Sequence, residues 1–222
     1  MRGRFPDRAE IVQRLSSAEG RAVLVLAALL YLPFAFACGW HYVFIPHTDF
    51  PSFYWPALAA FGAGGSPYSA DVVASAAGQL DQQVFPFLYP PPSLLLFYPL
   101  TWFPYETAKI GMLVVNHLTI LALVYVVLFR LLGLRTVGRF ALVALVLFFL
   151  YEPVAITLNH GQVNLVALLM ICLAWLAVKE QRHPLAVAVP LVLAILLKTY
   201  PALLLILLLT RRQYRAVAWS VG

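Results

Sequence analysis

Four long apolar stretches, separated by short charged or Pro- and Gly-containing breaks, constrain this chain more than any other feature. They cover residues 22–43, 107–129, 140–158 and 163–178. Each approaches the roughly 20 apolar residues that a helix needs to cross a bilayer core. A mean hydropathy of +0.86, with 63% hydrophobic and only 11% charged residues, excludes an ordinary soluble domain. The fold class expected is therefore all-α: a polytopic transmembrane helical protein, with membrane lipids as its surroundings. About twenty mostly polar residues precede the first stretch, and no small-residue cleavage site follows it. That stretch reads as a retained signal anchor behind a cytoplasmic tail, residues 1–21.

Charge placement sets the orientation. Thirteen of the 15 basic residues fall in the N-terminal tail, around Arg130, Arg135 and Arg139, at Lys179 and Arg182, or at Arg211, Arg212 and Arg215. Basic residues in short clusters between apolar runs are those of cytoplasmic loops, so the net charge of +6 does not imply a nucleic-acid partner. The long segment 45–106 and the loop around His160 face outside on this reading. A multi-pass protein of the cytoplasmic (inner) membrane is expected, with its functional face outward.

Lys109 and Lys198 are the two exceptions. Lys198 lies between two clusters that both belong inside, and only 28 residues separate Arg182 from Arg211. That is too few for two full spans at 1.5 Å per residue. A hairpin of two short helices, with Lys198-Thr199-Tyr200-Pro201 at its tip, satisfies the charges. A single kinked span with a snorkelling lysine is the alternative.

The polar breaks are where chemistry is to be sought. Asp49 follows the first span among aromatics, where a partly desolvated carboxylate suits proton acceptance; a plain solvated loop acid is the other reading. Gly65-Ser66-Pro67-Tyr68 is a turn carrying a rigid aromatic. Tyr89-Pro90-Pro91-Pro92 cannot continue a helix. The short apolar run behind it reads as a re-entrant or interfacial segment, or simply an interfacial aromatic belt. Asn159-His160-Gly161-Gln162-Val163-Asn164 sets polar groups around a glycine before the fourth span. It offers a helix start for an anion, or an ordinary cap. Cys38 and Cys172 lie in apolar runs and read as small hydrophobes.

In this order the segments resemble glycosyltransferase family 87, a polytopic family of GT-C type that includes polyprenyl-phosphate-mannose-dependent mannosyltransferases. The resemblance runs from Asp49 to Arg215 and is carried by Asp49, Gly65-Ser66-Pro67-Tyr68, Tyr89-Pro90-Pro91, Gly161-Gln162-Val163-Asn164, and Lys198-Thr199-Tyr200-Pro201 before Arg211-Arg212. It implies that residues 22–222 form a transmembrane glycosyltransferase domain, the N-terminal part of a longer one, since Trp219 to Gly222 open a further apolar segment. It implies a hexosyltransferase whose partners are a lipid-linked sugar donor and a lipid or glycan acceptor. Asp49 is the expected general base. His160, Gln162, Asn164 and Lys198 are the expected donor-binding residues, and Tyr68, Tyr89 and Asn159 candidate substrate contacts. Phosphate is a good leaving group, so one carboxylate suffices, unlike glycoside hydrolysis with its second acid. There is no Asp-x-Asp pair, so neither a metal site nor a cofactor is expected. A transporter or lipid-flipping protein is the alternative, because broken helices and an intramembrane lysine suit it too.

Overall fold

A computed structural model describes residues 17–44, 49–62, 64–81, 83–131 and 152–221. The N-terminal tail to residue 16, the 140–151 part of the third apolar stretch, and the loop of Arg135 and Arg139 lie outside the described residues. The described residues are helical, with no strand among them.

The first long helix, α1 (Ala18–Phe44), begins slightly before the apolar stretch. Most of its bulky side chains, from Val25 to Phe44, are exposed. Phe34, Cys38 and Tyr42, spaced by four, form the stripe that turns inward. After it come α2 (Pro51–Gly62) and α3 (Ala70–Leu80). Both fall inside the segment read from sequence as one long loop. Ser69 caps α3 by accepting from the Asp71 N–H at 3.1 Å.

The proline-rich stretch then folds into short turns: a 3₁₀ turn (Pro91–Ser93), α4 (Leu94–Phe97), and another 3₁₀ turn (Tyr98–Trp102). Leu94 and Phe97 point into the core, while Leu95, Trp102 and Phe103 stay exposed. Such a two-faced short segment has the form expected of an interfacial element.

The second long helix, α5 (Tyr105–Val124), continues as a π-helical turn over Tyr125–Leu131. Next, α6 (Glu152–His160) and α7 (Asn164–Lys179) meet at a 120° bend. The segments Val25–Phe44 and Tyr105–Leu131 are long and apolar enough to cross a membrane, and the bent pair α6–α7 passes the same test taken together.

The C-terminal part holds α8 (Pro184–Leu197), a 3₁₀ turn (Tyr200–Leu203), α9 (Leu204–Thr210) and α10 (Tyr214–Val221). Lys198 leaves α8 in extended conformation, φ −152° and ψ 134°, and Pro201 starts the next turn. Leu208 near the end of α9 then packs with Leu191 and Val187 near the start of α8. A single kinked span would keep Leu208 far from Val187, so the chain doubles back at Lys198, as the charges required.

Helix α7 packs on α5 and α8, and α1 packs on α5 and α6. At one end of this bundle Glu180 accepts from both Arg130 and Arg182, and Lys179 caps the Leu131 carbonyl at 2.5 Å. At the other end an aromatic core gathers Phe50, Phe53, Phe87 and Phe97 beneath Tyr89. Phe53 and Phe97 stack at 4.8 Å and 9°, and Tyr89 stands edge-on to Phe53 at 5.3 Å. That aromatic floor supports the candidate site.

Candidate active site

Asp49 leads into α2, its carbonyl accepting the Ser52 N–H at 3.0 Å. The Asp49 N–H donates to the His160 carbonyl at 2.8 Å, pinning the acid to the α6–α7 bend, 111 residues later in the chain. The Gln162 side-chain amide donates to Asp49 Oδ2. Asn164 Nδ2 in turn donates to Gln162 Oε1 at 2.5 Å. This second bond fixes which way the Gln162 amide faces, so that its NH₂ and not its carbonyl meets the carboxylate.

The bend itself is tight. Gly161 has φ +65°, and a Cβ there would sit 2.4 Å from the Tyr42 ring. Only glycine combines that backbone with that contact. The Gln162 N–H donates to the Thr157 carbonyl at 3.0 Å and the Gly161 N–H to Leu158 at 3.2 Å. The Gln162 N–H is thus already spent within the bend. What Gln162 offers the site is its side chain.

A cavity of about 320 Å³ opens beside Asp49, bordered by Ser52, Phe53, Tyr89, Pro90, Lys198 and Thr199, with Phe85, Pro86 and Leu88 at its rim. Lys198 Nζ lies 5.2 Å from the centroid of the Tyr89 ring. Among the described residues Lys198 forms no salt bridge. Burial pulls its pKa below the ordinary lysine value, and the negative charge of Asp49 opposes that shift. The Tyr89 phenol is pushed up to about 12, first by burial and then by Asp49. It therefore remains a neutral O–H donor at ordinary pH.

The expected site residues separate into three groups. Asp49, Tyr89 and Lys198 line one cavity. Gln162 and Asn164 stand behind Asp49 and orient it. His160, Asn159 and Tyr68 do not line the cavity. His160 contributes its carbonyl to Asp49, while Asn159 keeps a buried Oδ1 without a partner among the described residues. Tyr68 donates its hydroxyl to the Tyr89 carbonyl at 2.8 Å and so ties the loop that carries Tyr89.

Sequence reasoning missed several residues of this constellation. Asn116 on α5 is fully buried and donates to the Gln162 carbonyl at 3.1 Å. A lone amide inside an apolar span was the available signal. Ser52 borders the cavity, with a buried Oγ that has no partner among the described residues. Lys109, an unexplained exception to the charge pattern, is buried on α5. It donates to the Val43 carbonyl at 3.2 Å and lies 5.4 Å over the Tyr42 ring, the same ring that abuts Gly161.

Fold and site together define a polytopic helical membrane protein that turns a carboxylate and an ammonium toward one cavity. The model of glycosyltransferase family 87 matches residues 87–222, more than half of the chain, and the chain belongs to that family. It is a membrane glycosyltransferase. The matched stretch includes Tyr89, Asn116, Gln162, Asn164 and Lys198; Asp49 and Tyr68 precede it. No curated protein and no solved structure matches the chain.

Proposed function

We propose that the protein transfers a hexose, mannose by family resemblance, from a polyprenyl-phosphate donor to a hydroxyl of a lipid or glycan acceptor. The reaction takes place on the outer face of the cytoplasmic membrane. The observation that carries this reading is the sharing of one cavity by Asp49, Tyr89 and Lys198. The acceptor oxygen attacks the anomeric carbon, and the bond from that carbon to the phosphate oxygen breaks. The hydroxyl proton passes to Asp49, and the lipid phosphate departs with the bonding electron pair. Gln162 occupies Asp49 Oδ2, which leaves Oδ1 for the incoming proton. Lys198 places a positive charge where the phosphate gains negative charge, the electrostatic stabilisation that such a leaving group needs. The exposed Leu88 and Phe85 at the rim give the polyprenyl chain an apolar way out of the cavity.

The test is donor choice. Vesicles containing the protein are supplied with an acceptor lipid extract and radiolabelled mannose, either as polyprenyl-phosphate-mannose or as a nucleotide-linked sugar. Label should pass to acceptor only from the lipid-phosphate donor. Transfer from the nucleotide sugar, in membranes free of lipid-phosphate-sugar synthesis, would overturn the proposal.

A further inference from the structure

A second groove lies about 16 Å from Lys198 along α8, taking Val187 as its position and 1.5 Å per residue. It has a volume of about 200 Å³. Ile171, Trp175 and Val178 of α7 form one wall, Val187 and Leu191 of α8 the floor, and Leu208 of α9 closes the other side. Every lining side chain is hydrocarbon or indole. From Ile171 to Val178 the groove follows α7 for about 10 Å.

Its open end is basic. The Arg211 guanidinium lies over the Trp175 ring, 5.8 Å from the centroid. Arg211, Arg212 and Arg215 are all exposed, the second and third one and four residues further along the chain, and the sequence holds no acidic residue after Glu180. Glu180 itself is bonded to Arg130 and Arg182. Trp175 stands about one turn before Lys179, which marks the same end of the helices. An indole at that level, hydrocarbon below it and guanidinium groups above it that form no salt bridge among the described residues repeat the depth profile of a phospholipid.

We propose that this groove binds one anionic phospholipid, with an acyl chain along Trp175 and Leu191 and the phosphate on Arg211 and Arg212. Charge selects this occupant. A second copy docked by twofold symmetry would bring its own three arginines against these, like facing like. A lipid phosphate brings the opposite sign and accepts charge-assisted hydrogen bonds from the guanidinium forks. The site is independent of sugar transfer, because none of its residues touches the Asp49 cavity.

Trp175 fluorescence supplies the test. The full chain is placed in phosphatidylcholine nanodiscs, and the Trp175 signal is taken as the difference between wild type and Trp175→Phe. Lipids with brominated acyl chains, either phosphatidylglycerol or phosphatidylcholine, are titrated in as quenchers. Half-quenching should need about 5–30-fold less phosphatidylglycerol, the preference that one to two arginines near an anionic headgroup confer. Arg211→Gln with Arg212→Gln should bring the two lipids level, while Arg211→Lys should keep most of the difference. Added salt should erode the preference in the wild type without any substitution. Equal quenching by the two lipids in the wild type would mean ordinary lipid contact and overturn the proposal. So would a preference untouched by both salt and the double substitution, or a Trp175 that neither lipid quenches.

Discussion

Replacing Gly161 with alanine attacks the bend that holds Asp49, and its cost can be worked from two independent terms. The backbone there has φ +65°, a left-handed conformation that costs a non-glycine residue about 1–2 kcal/mol. The new methyl would also lie 2.4 Å from Tyr42 Cε2 and 2.7 Å from its hydroxyl oxygen. Tyr42 is fully buried, with the Lys109 ammonium on its ring, so it has no open space to swing into. Overpacking of this kind costs about 1–3 kcal/mol. Together the terms amount to about 2–5 kcal/mol, or a fall in melting temperature of about 4–20 °C for a chain of this size. A melting curve in detergent, followed by tryptophan fluorescence, reads this directly. Tyr42→Leu should relieve the steric part but not the backbone part, so the double variant should recover roughly half the loss. A Gly161→Ala protein that melts within a degree or two of wild type would refute the account of the bend. Equal loss with and without Tyr42→Leu would refute the steric term.

Asn164→Leu frees the Gln162 amide to turn its carbonyl toward Asp49; kcat should fall about tenfold, one hydrogen bond's worth, with donor KM unchanged. Lys198→Met should weaken apparent donor affinity by about 10–100-fold, the usual range for a hydrogen bond to a charged group, while leaving the melting curve near wild type. A stable variant with unchanged donor affinity would remove Lys198 from the site. Burial lowers the Lys198 pKa, so its positive charge is lost at lower pH than that of a free lysine. Donor affinity should accordingly decline with rising pH before the ordinary lysine range is reached, and Lys198→Arg should abolish that decline. A single cysteine placed at His160 should react with an impermeant reagent added outside intact cells, and one at Arg182 should not; the reverse pattern would invert the topology.

The long helices were legible because hydropathy over some twenty residues depends on the solvent and little on tertiary detail. The hairpin was legible because Lys198 and Arg211 had to be reconciled across a short stretch. Helices α2 and α3 were not. Pro51 and Pro56 sit within α2, and its small residues carry no helical period; it forms because Phe53, Tyr54 and Ala57 bury against the aromatic core. In the site, Asp49 stood out as an acid among aromatics, Lys198 by charge placement and Tyr89 by the family resemblance, and the cavity brings all three together. Their relation to Gln162 was not readable. The bond from Gln162 to Asp49 joins residues 113 apart, and no local pattern encodes such a pairing. The same gap explains Tyr68 and His160. Tyr68 was expected to contact substrate and His160 to bind donor; in the structure neither lines the cavity, and each bonds the backbone of a neighbouring segment. Asn116 was overlooked because a single amide inside an apolar span was read as part of the span.

The proposed reaction stands or falls on Asp49 as the group that takes the acceptor proton, and Asp49→Asn isolates that step. The substitution preserves shape, and an amide oxygen can still accept from Gln162. It removes the proton acceptor. Initial rates of label transfer from polyprenyl-phosphate-mannose are measured for both proteins in vesicles, at matched amounts of folded protein and saturating donor. The substitution should lower kcat by about 10²–10⁴-fold with donor affinity retained. Transfer within a few-fold of wild type by well-folded Asp49→Asn protein would contradict it.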